Sequence, residues 1–179
     1  ELESAISSGQ IKAYYQPQVC LFNDALYGLE ALARWEHPER GLIPPSKFIP
    51  LAEKTGLIVP MTNKMIQNCI SDVSEFSERS RSTCHLSVNI SASHIQEYAL
   101  TELLQTLDSE AEMNPGSFTL EVTESGLMTE LVSSLDILAR LRLKGFNLSI
   151  DDFGTGYSSL YQLHKMPFNE LKVDQAFVK

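Results

Sequence analysis

This sequence has no CxxC pair, no Cys/His cluster and no apolar run long enough to cross a bilayer. Its three cysteines, Cys20, Cys69 and Cys84, are odd in number and far apart, which argues against a disulfide framework and against a structural zinc site. They read as small buried hydrophobes in a reducing, cytoplasmic setting. A membrane helix needs roughly 20 consecutive apolar residues and a secreted chain needs a signal peptide; neither is seen, which points to a soluble protein. Positive charge is scarce. Fourteen Lys and Arg stand against 23 Asp and Glu, a formal net charge of −9. A field of that sign repels nucleic-acid backbone and argues against a DNA or RNA binder. A small phosphate ligand stays compatible if a metal ion or a local Arg or Lys reverses the sign inside the site. The dinucleotide fingerprint GxGxxG is missing, and the glycine pair Gly154 and Gly156 lacks the lysine of a phosphate-binding loop. No linker and no internal repeat divides the chain.

What remains is an ordinary globular mix, 43% hydrophobic and 21% charged over 179 residues, enough for one domain with a real core. The chain starts at Glu1 and stops at Lys179 inside an unfinished pattern, as expected of an excised domain. Apolar periodicity alternates between short and long runs. Strands are expected at Ile11–Val19, Leu26–Trp35, His85–Ile90, Phe118–Val122, Phe146–Ile150 and Leu171–Val173. Helices are expected at Ser46–Ala52, Val59–Phe76, Leu100–Ala111, Glu130–Leu143 (stopped by Gly145) and Ser158–His164, with a turn over Gly41–Pro45. Six strands alternating with helices predict an α/β fold with a mostly parallel sheet, and without the fingerprint a TIM-like β/α barrel leads, here incomplete.

The polar residues are the informative part. Glu30 interrupts the apolar run LYGLEALARW, Asn89 ends HLSVN, and Glu121 sits late in FTLEVTE. Asp151 and Asp152 end LSIDD, while Lys172 and Asp174 close ELKVD. Any one of them taken alone reads as a helix cap or a solvated loop group. Five successive strands delivering such groups read differently, because the C-terminal ends of barrel strands meet at one mouth. Several carboxylates brought together repel unless a cation joins them. Carboxylates with an amide oxygen suit Mg²⁺ or Mn²⁺ rather than zinc. Adjacent Asp151 and Asp152 suit a pair of ions about 3.5–4 Å apart, the arrangement of two-metal phosphoester hydrolases.

At these residues the sequence resembles the EAL domain family, the bacterial cyclic di-GMP phosphodiesterases. The name-giving triplet is Glu30-Ala31-Leu32. Further matches are YYQP (Tyr14–Pro17), PSKFIPLAEKTGLI (Pro45–Ile58), SVNIS (Ser87–Ser91), EVTES (Glu121–Ser125), DDFGTGYSSL (Asp151–Leu160) and LKVDQAFV (Leu171–Val178). They occur in family order over nearly the whole chain.

The resemblance implies that Glu30, Asn89, Glu121 and Asp151 hold a first metal ion, that Asp151 bridges, and that Asp152 holds a second. It implies that Lys172 contacts the attacking water and that Gln16, Arg34 and Asp174 contact substrate. DFGTGYSS corresponds to a loop linking metal and substrate binding to dimerisation, and Glu124 is expected in the catalytic set as the residue that holds that loop. Two Mg²⁺ or Mn²⁺ ions, opening of cyclic di-GMP to linear pGpG, a homodimer and further signalling modules in the parent protein are all implied in the same way. Residues 1–179 would form an EAL domain that lacks the AEGVE-like and QGY-like segments of the family pattern, so activity of this stretch alone does not follow automatically. The alternatives are a non-catalytic EAL-type receptor for the dinucleotide or for a protein, and an unrelated Mg²⁺-dependent barrel enzyme.

Overall fold

The computed structural model describes residues 1–80, 84–91, 95, 114–129, 131–155 and 166–178. The helices expected at Leu100–Ala111 and Ser158–His164, together with Gly156, lie outside them. In chain order the elements are α1 (Leu2–Ser7), β1 (Ile11–Val19), β2 (Leu26–His37), β3 (Gly41–Ile43), α2 (Pro45–Thr55), α3 (Ile58–Ser80), β4 (His85–Asn89), β5 (Phe118–Thr123), α4 (Glu124–Thr129), α5 (Leu131–Leu143), β6 (Asn147–Phe153) and β7 (Glu170–Val173). One sheet of order β1-β2-β4-β5-β6-β7 contains them, with β3 beside β2. The pairs from β2–β4 through β6–β7 are parallel, whereas β1–β2 and β2–β3 are antiparallel. The six residues between β1 and β2 are too few for a parallel crossover, which takes a dozen or more.

Several sequence expectations are corrected. The turn over Gly41–Pro45 contains β3, a seventh strand, because Trp35 to His37 offer a free edge for Ile43 to Gly41. Helix α2 opens at Pro45 rather than Ser46, since proline lacks the N–H that a first turn leaves unpaired, and it ends at Gly56 in the left-handed region. Helices α1 and α4 were too short to register as periodic. Cys69 and Cys84 are buried as expected, but Cys20 is exposed in the β1–β2 turn.

Alternation along the strands builds the core. Ala31, Leu86, Val88, Phe118, Leu120, Val122 and Leu148 turn to one side of the sheet. There they meet Met65, Ile66 and Cys69 of α3 and Ile137, Leu138 and Leu141 of α5. Trp35 anchors a second cluster, with Leu2, Ile11, Phe48, Ala52, Ile58 and Met61. Helix α3 contributes to both. Strands β2 and β4 approach closely at Gly28, where an added Cβ would stand 2.7 Å from the His85 carbonyl oxygen. Only glycine fits there.

Candidate active site

The opposite side of the same strands is polar. Residues paired directly across a sheet share a face. Glu30 pairs with Gln16 on one side and Ser87 on the other. Asn89 pairs with Glu121, Glu121 with Ser149, and Thr123 with Asp151. Ser87, Thr119, Glu121 and Ser149 are all buried on this side. The interior of a closed β/α barrel is ordinarily filled with Val, Ile and Leu; this sheet puts hydroxyls and carboxylates on the face away from its apolar core.

Glu30 interrupts its strand, as the sequence suggested, in the fifth of twelve positions of β2, and so does not lie near the strand's C-terminal end as its grouping with the other polar residues implied. The parallel pairing of β2 with β4 stops at Ala31, and β2 continues to His37 alongside β1 and β3. Glu30 therefore lies at the rim of the parallel sheet while its own strand runs on past it. Glu121 and Asn89 reach the same rim through ordinary register. Asp151 arrives with a bulge: Ile150 pairs with Leu171 and Phe153 with Val173, so Asp151 and Asp152 together oppose Lys172. Asp152 takes a φ of 54°, which Asp tolerates better than most residues. A bulge re-aims side chains and breaks the alternation that would send neighbouring carboxylates to opposite faces.

Lys172 sits at the centre of the gathered groups. Its Nζ lies 2.6 Å from Glu121 Oε2, 2.9 Å from Glu30 Oε2 and 3.6 Å from Asp151 Oδ1. Asn89 Nδ2 donates to Glu30 Oε1 at 3.2 Å. One oxygen from each of Glu30, Glu121 and Asp151 lies within 4.8 Å of the others. Three carboxylates against one ammonium leave an excess of negative charge. Burial pushes the fully buried Glu121 up to about 7 despite its bond to Lys172, and Glu30 and Asp151 push the same way. Burial alone would lower Lys172; the bond and charge of Glu121, with Glu30 and Asp151, outweigh it and hold the ammonium charged. Glu121 Oε1 is buried without a hydrogen-bond partner. An orphaned carboxylate oxygen in the interior costs about 1–3 kcal/mol or more, and a cation relieves it. Oxygen donors only, net negative charge and an unpartnered ligand atom together fit a hard divalent cation.

The other expected residues lie around this group. Asp152 is exposed, and partial desolvation, then the charges of Asp151 and Asp174, raise it. Asp174 caps the 3-10 turn Gln175–Phe177 through Ala176 N–H at 2.8 Å. Gln16 is exposed beside Glu30 across the β1–β2 pair. Arg34 lies four residues beyond Glu30 on the same face, roughly 13 Å along the strand. Its guanidinium donates to Ala33 O at 2.8 Å and stands over the Tyr14 ring at 5.9 Å, while Tyr14 donates to Glu36. Glu124 is buried, and its Oε2 accepts the Gly154 N–H at 2.9 Å. It stands under the turn after Asp152 and outside the group of three carboxylates. Sequence reasoning missed the buried hydroxyls of Ser87, Thr119 and Ser149. The signal was present as a small polar residue at every second position of SVN, TLE and SID.

Comparison with known proteins matches the EAL domain family over residues 1–179. Among curated relatives, the bifunctional diguanylate cyclase/cyclic di-GMP phosphodiesterase MucR of Pseudomonas aeruginosa is 39% identical, over 99% of this chain and 26% of its own length. The cyclic di-GMP phosphodiesterase RocR of the same organism is 37% identical, over 97% of this chain and 44% of its own. The chain thus spans less than half of these relatives. Among solved structures, a PaMucR phosphodiesterase in complex with c-di-GMP superposes with a TM-score of 0.91 at 39% identity, over 99% of this chain and 72% of that one. The FimX EAL domain of Pseudomonas aeruginosa superposes at 0.88 with 22% identity, a likeness of fold.

Proposed function

This chain belongs to the EAL domain family, and from that premise we propose that it is a metal-dependent phosphodiesterase that hydrolyses cyclic di-GMP to linear pGpG. The observation that carries the reading is the convergence of Glu30, Asn89, Glu121 and Asp151 from four strands around Lys172. Relatives at 37–39% identity bear the name of that activity, and one was solved with the dinucleotide. In this reading Glu30, Asn89, Glu121 and Asp151 hold one Mg²⁺ or Mn²⁺ and Asp151 and Asp152 a second. Bound there, such cations activate water and neutralise phosphate charge.

The chain's own residues supply the rest. Lys172, which donates to Glu121 and lies beside Glu30 and Asp151, orients the attacking water. The water oxygen forms a new bond to phosphorus as the bond from phosphorus to one ribose 3′ oxygen breaks, a proton lost by the water ends on that oxygen, and the ring opens. Arg34 pairs with a phosphate, to which its planar fork is suited. Gln16 and Asp174 contact substrate at the rim. Glu124 acts on the turn beneath Asp152 rather than on the reacting atoms. We read residues 1–179 as EAL domain sequence throughout, and a homodimer, further signalling modules and a cytoplasmic location as part of the same proposal. No helix among the described residues is long and apolar enough to cross a membrane.

The test is hydrolysis of cyclic di-GMP with Mg²⁺ or Mn²⁺, followed by chromatography, with Glu30→Ala as control. Metal-dependent appearance of pGpG that Glu30→Ala abolishes supports the reading. Binding of the dinucleotide without cleavage makes the chain a receptor instead, and turnover that survives Glu30→Ala overturns the assignment of the metal site.

A further inference from the structure

Beyond the bulge, the chain turns at Gly154 with a φ of 102°, two residues after Asp152 with its own positive φ. Two left-handed residues so close together are uncommon, and such a turn persists only when its surroundings hold it. Glu124 accepts the Gly154 N–H. Phe177 also lies against it: its Cε2, Cζ and Cδ2 would stand 2.7, 2.9 and 3.3 Å from a Cβ added at Gly154. The ring is seated against the glycine backbone itself. The turn Gln175–Phe177 that carries this ring is tied back to the same place: Asp174 N–H donates to Phe153 O, and Phe177 N–H donates to Asp174 O. Yet Phe177 is 63% exposed, so little of it contributes to the core.

We propose that Phe177 is a positioning residue for Asp152: seated on Gly154, whose N–H Glu124 accepts, its ring clamps the turn 152–155 and fixes the carboxylate of Asp152 at the site. The inference rests on the phosphodiesterase reading above, in which Asp152 holds the second ion. It gives a reason for glycine at 154 beyond its φ, since any side chain there would displace the ring.

Phe177→Ala, Phe177→Tyr and Glu124→Gln would be compared with the unaltered chain. Amide exchange at Gly154 and Thr155 is read first, by NMR without metal or substrate, and then Mn²⁺ binding and turnover. In Phe177→Ala we expect exchange at Gly154 to quicken about tenfold or more, with the unfolding midpoint nearly unchanged. The weaker of two Mn²⁺ affinities should fall by about 10–100-fold and kcat with it, while KM moves little. Phe177→Tyr, which keeps the ring, should restore all of these. Unchanged exchange in Phe177→Ala, or equal damage from Phe177→Tyr, overturns the clamp even where the chain hydrolyses cyclic di-GMP. Absence of turnover in the unaltered chain overturns the phosphodiesterase reading instead, and the exchange result then still decides whether Phe177 holds the turn.

Discussion

The two faces of strands β4 to β6 are buried to similar degrees and do opposite things. On one, Leu86, Val88, Phe118, Leu120, Val122 and Leu148 are at most 2% exposed and pack in one apolar cluster with α3 and α5. On the other, Ser87, Thr119, Glu121 and Ser149 are equally hidden, but their polar atoms include two without partners. Each apolar side chain contributes about 1.5–3 kcal/mol by leaving water. An unpartnered carboxylate oxygen or hydroxyl subtracts a comparable amount. A strand with period two carries both programmes at once, and the surplus on the first face tolerates the deficit on the second. The candidate site sits where the sheet is locally unfavourable, and it is the helix-covered face that keeps it folded.

Substitutions on the two faces should therefore separate activity from stability. The largest effect belongs to the polar face. Glu30→Ala or Glu121→Gln is expected to lower cyclic di-GMP turnover about a thousandfold or more, some 4 kcal/mol in the barrier. Neither should lower the urea midpoint in the absence of metal, because each removes one of three mutually repelling carboxylates. A lower midpoint would mean that the acid group is a structural network and not a site held ready for a cation. Lys172→Met comes next. It removes the one positive charge seen among these carboxylates and should destabilise the metal-free chain by roughly 3–5 kcal/mol. Added Mn²⁺ should recover most of that loss, since a ligand bound only by the folded state stabilises it. If Mn²⁺ leaves the midpoint where it was, the cluster does not take the ion.

The apolar face should behave in the reverse way. Phe118 is fully buried, with its ring edge-on to Phe146 at 6.3 Å between centroids. Phe118→Ala is expected to cost about 3–5 kcal/mol in urea unfolding, and Leu138→Ala about 2–5. Specific activity per folded molecule at low temperature should change less than threefold for Leu138→Ala, which lies in α5, on the far side of the sheet. A hundredfold loss at full folding would break the separation of faces.

This division was partly legible in the sequence. Short apolar runs placed the strands, and a carboxylate, amide or ammonium on each of five of them pointed to one mouth. The chain order of polar residues was readable because strand register in a parallel sheet follows the apolar pattern. What could not be read was geometry that depends on partners. Glu30 stands inside its strand, and it reaches the rim because the parallel pairing, not the strand, ends beside it. Asp151 and Asp152 looked like a strand end, yet a bulge opposite Lys172 is what turns both toward the rim. β3 is three residues long, too short for periodicity, and exists because β2 leaves an edge open. The contact of Phe177 with Gly154 joins positions 23 residues apart that carry no complementary pattern.

The smallest expected effect sharpens the comparison most. Ser149 Oγ is buried without a partner, on β6 directly beside Glu121, whose Oε1 is orphaned too. Two neighbouring unpaired polar atoms describe either a plain cost of the polar face or the walls of a small hydrated space. Ser149→Ala distinguishes these. If the hydroxyl has no partner, removing it deletes a buried unsatisfied group and the chain gains up to about 1 kcal/mol in urea unfolding. That is the expected outcome, with Mn²⁺ affinity unchanged. If stability instead falls by about that amount and Mn²⁺ affinity falls about tenfold with it, Ser149 reaches Glu121 through a water, and the polar face is supported below its ligands as well as above them.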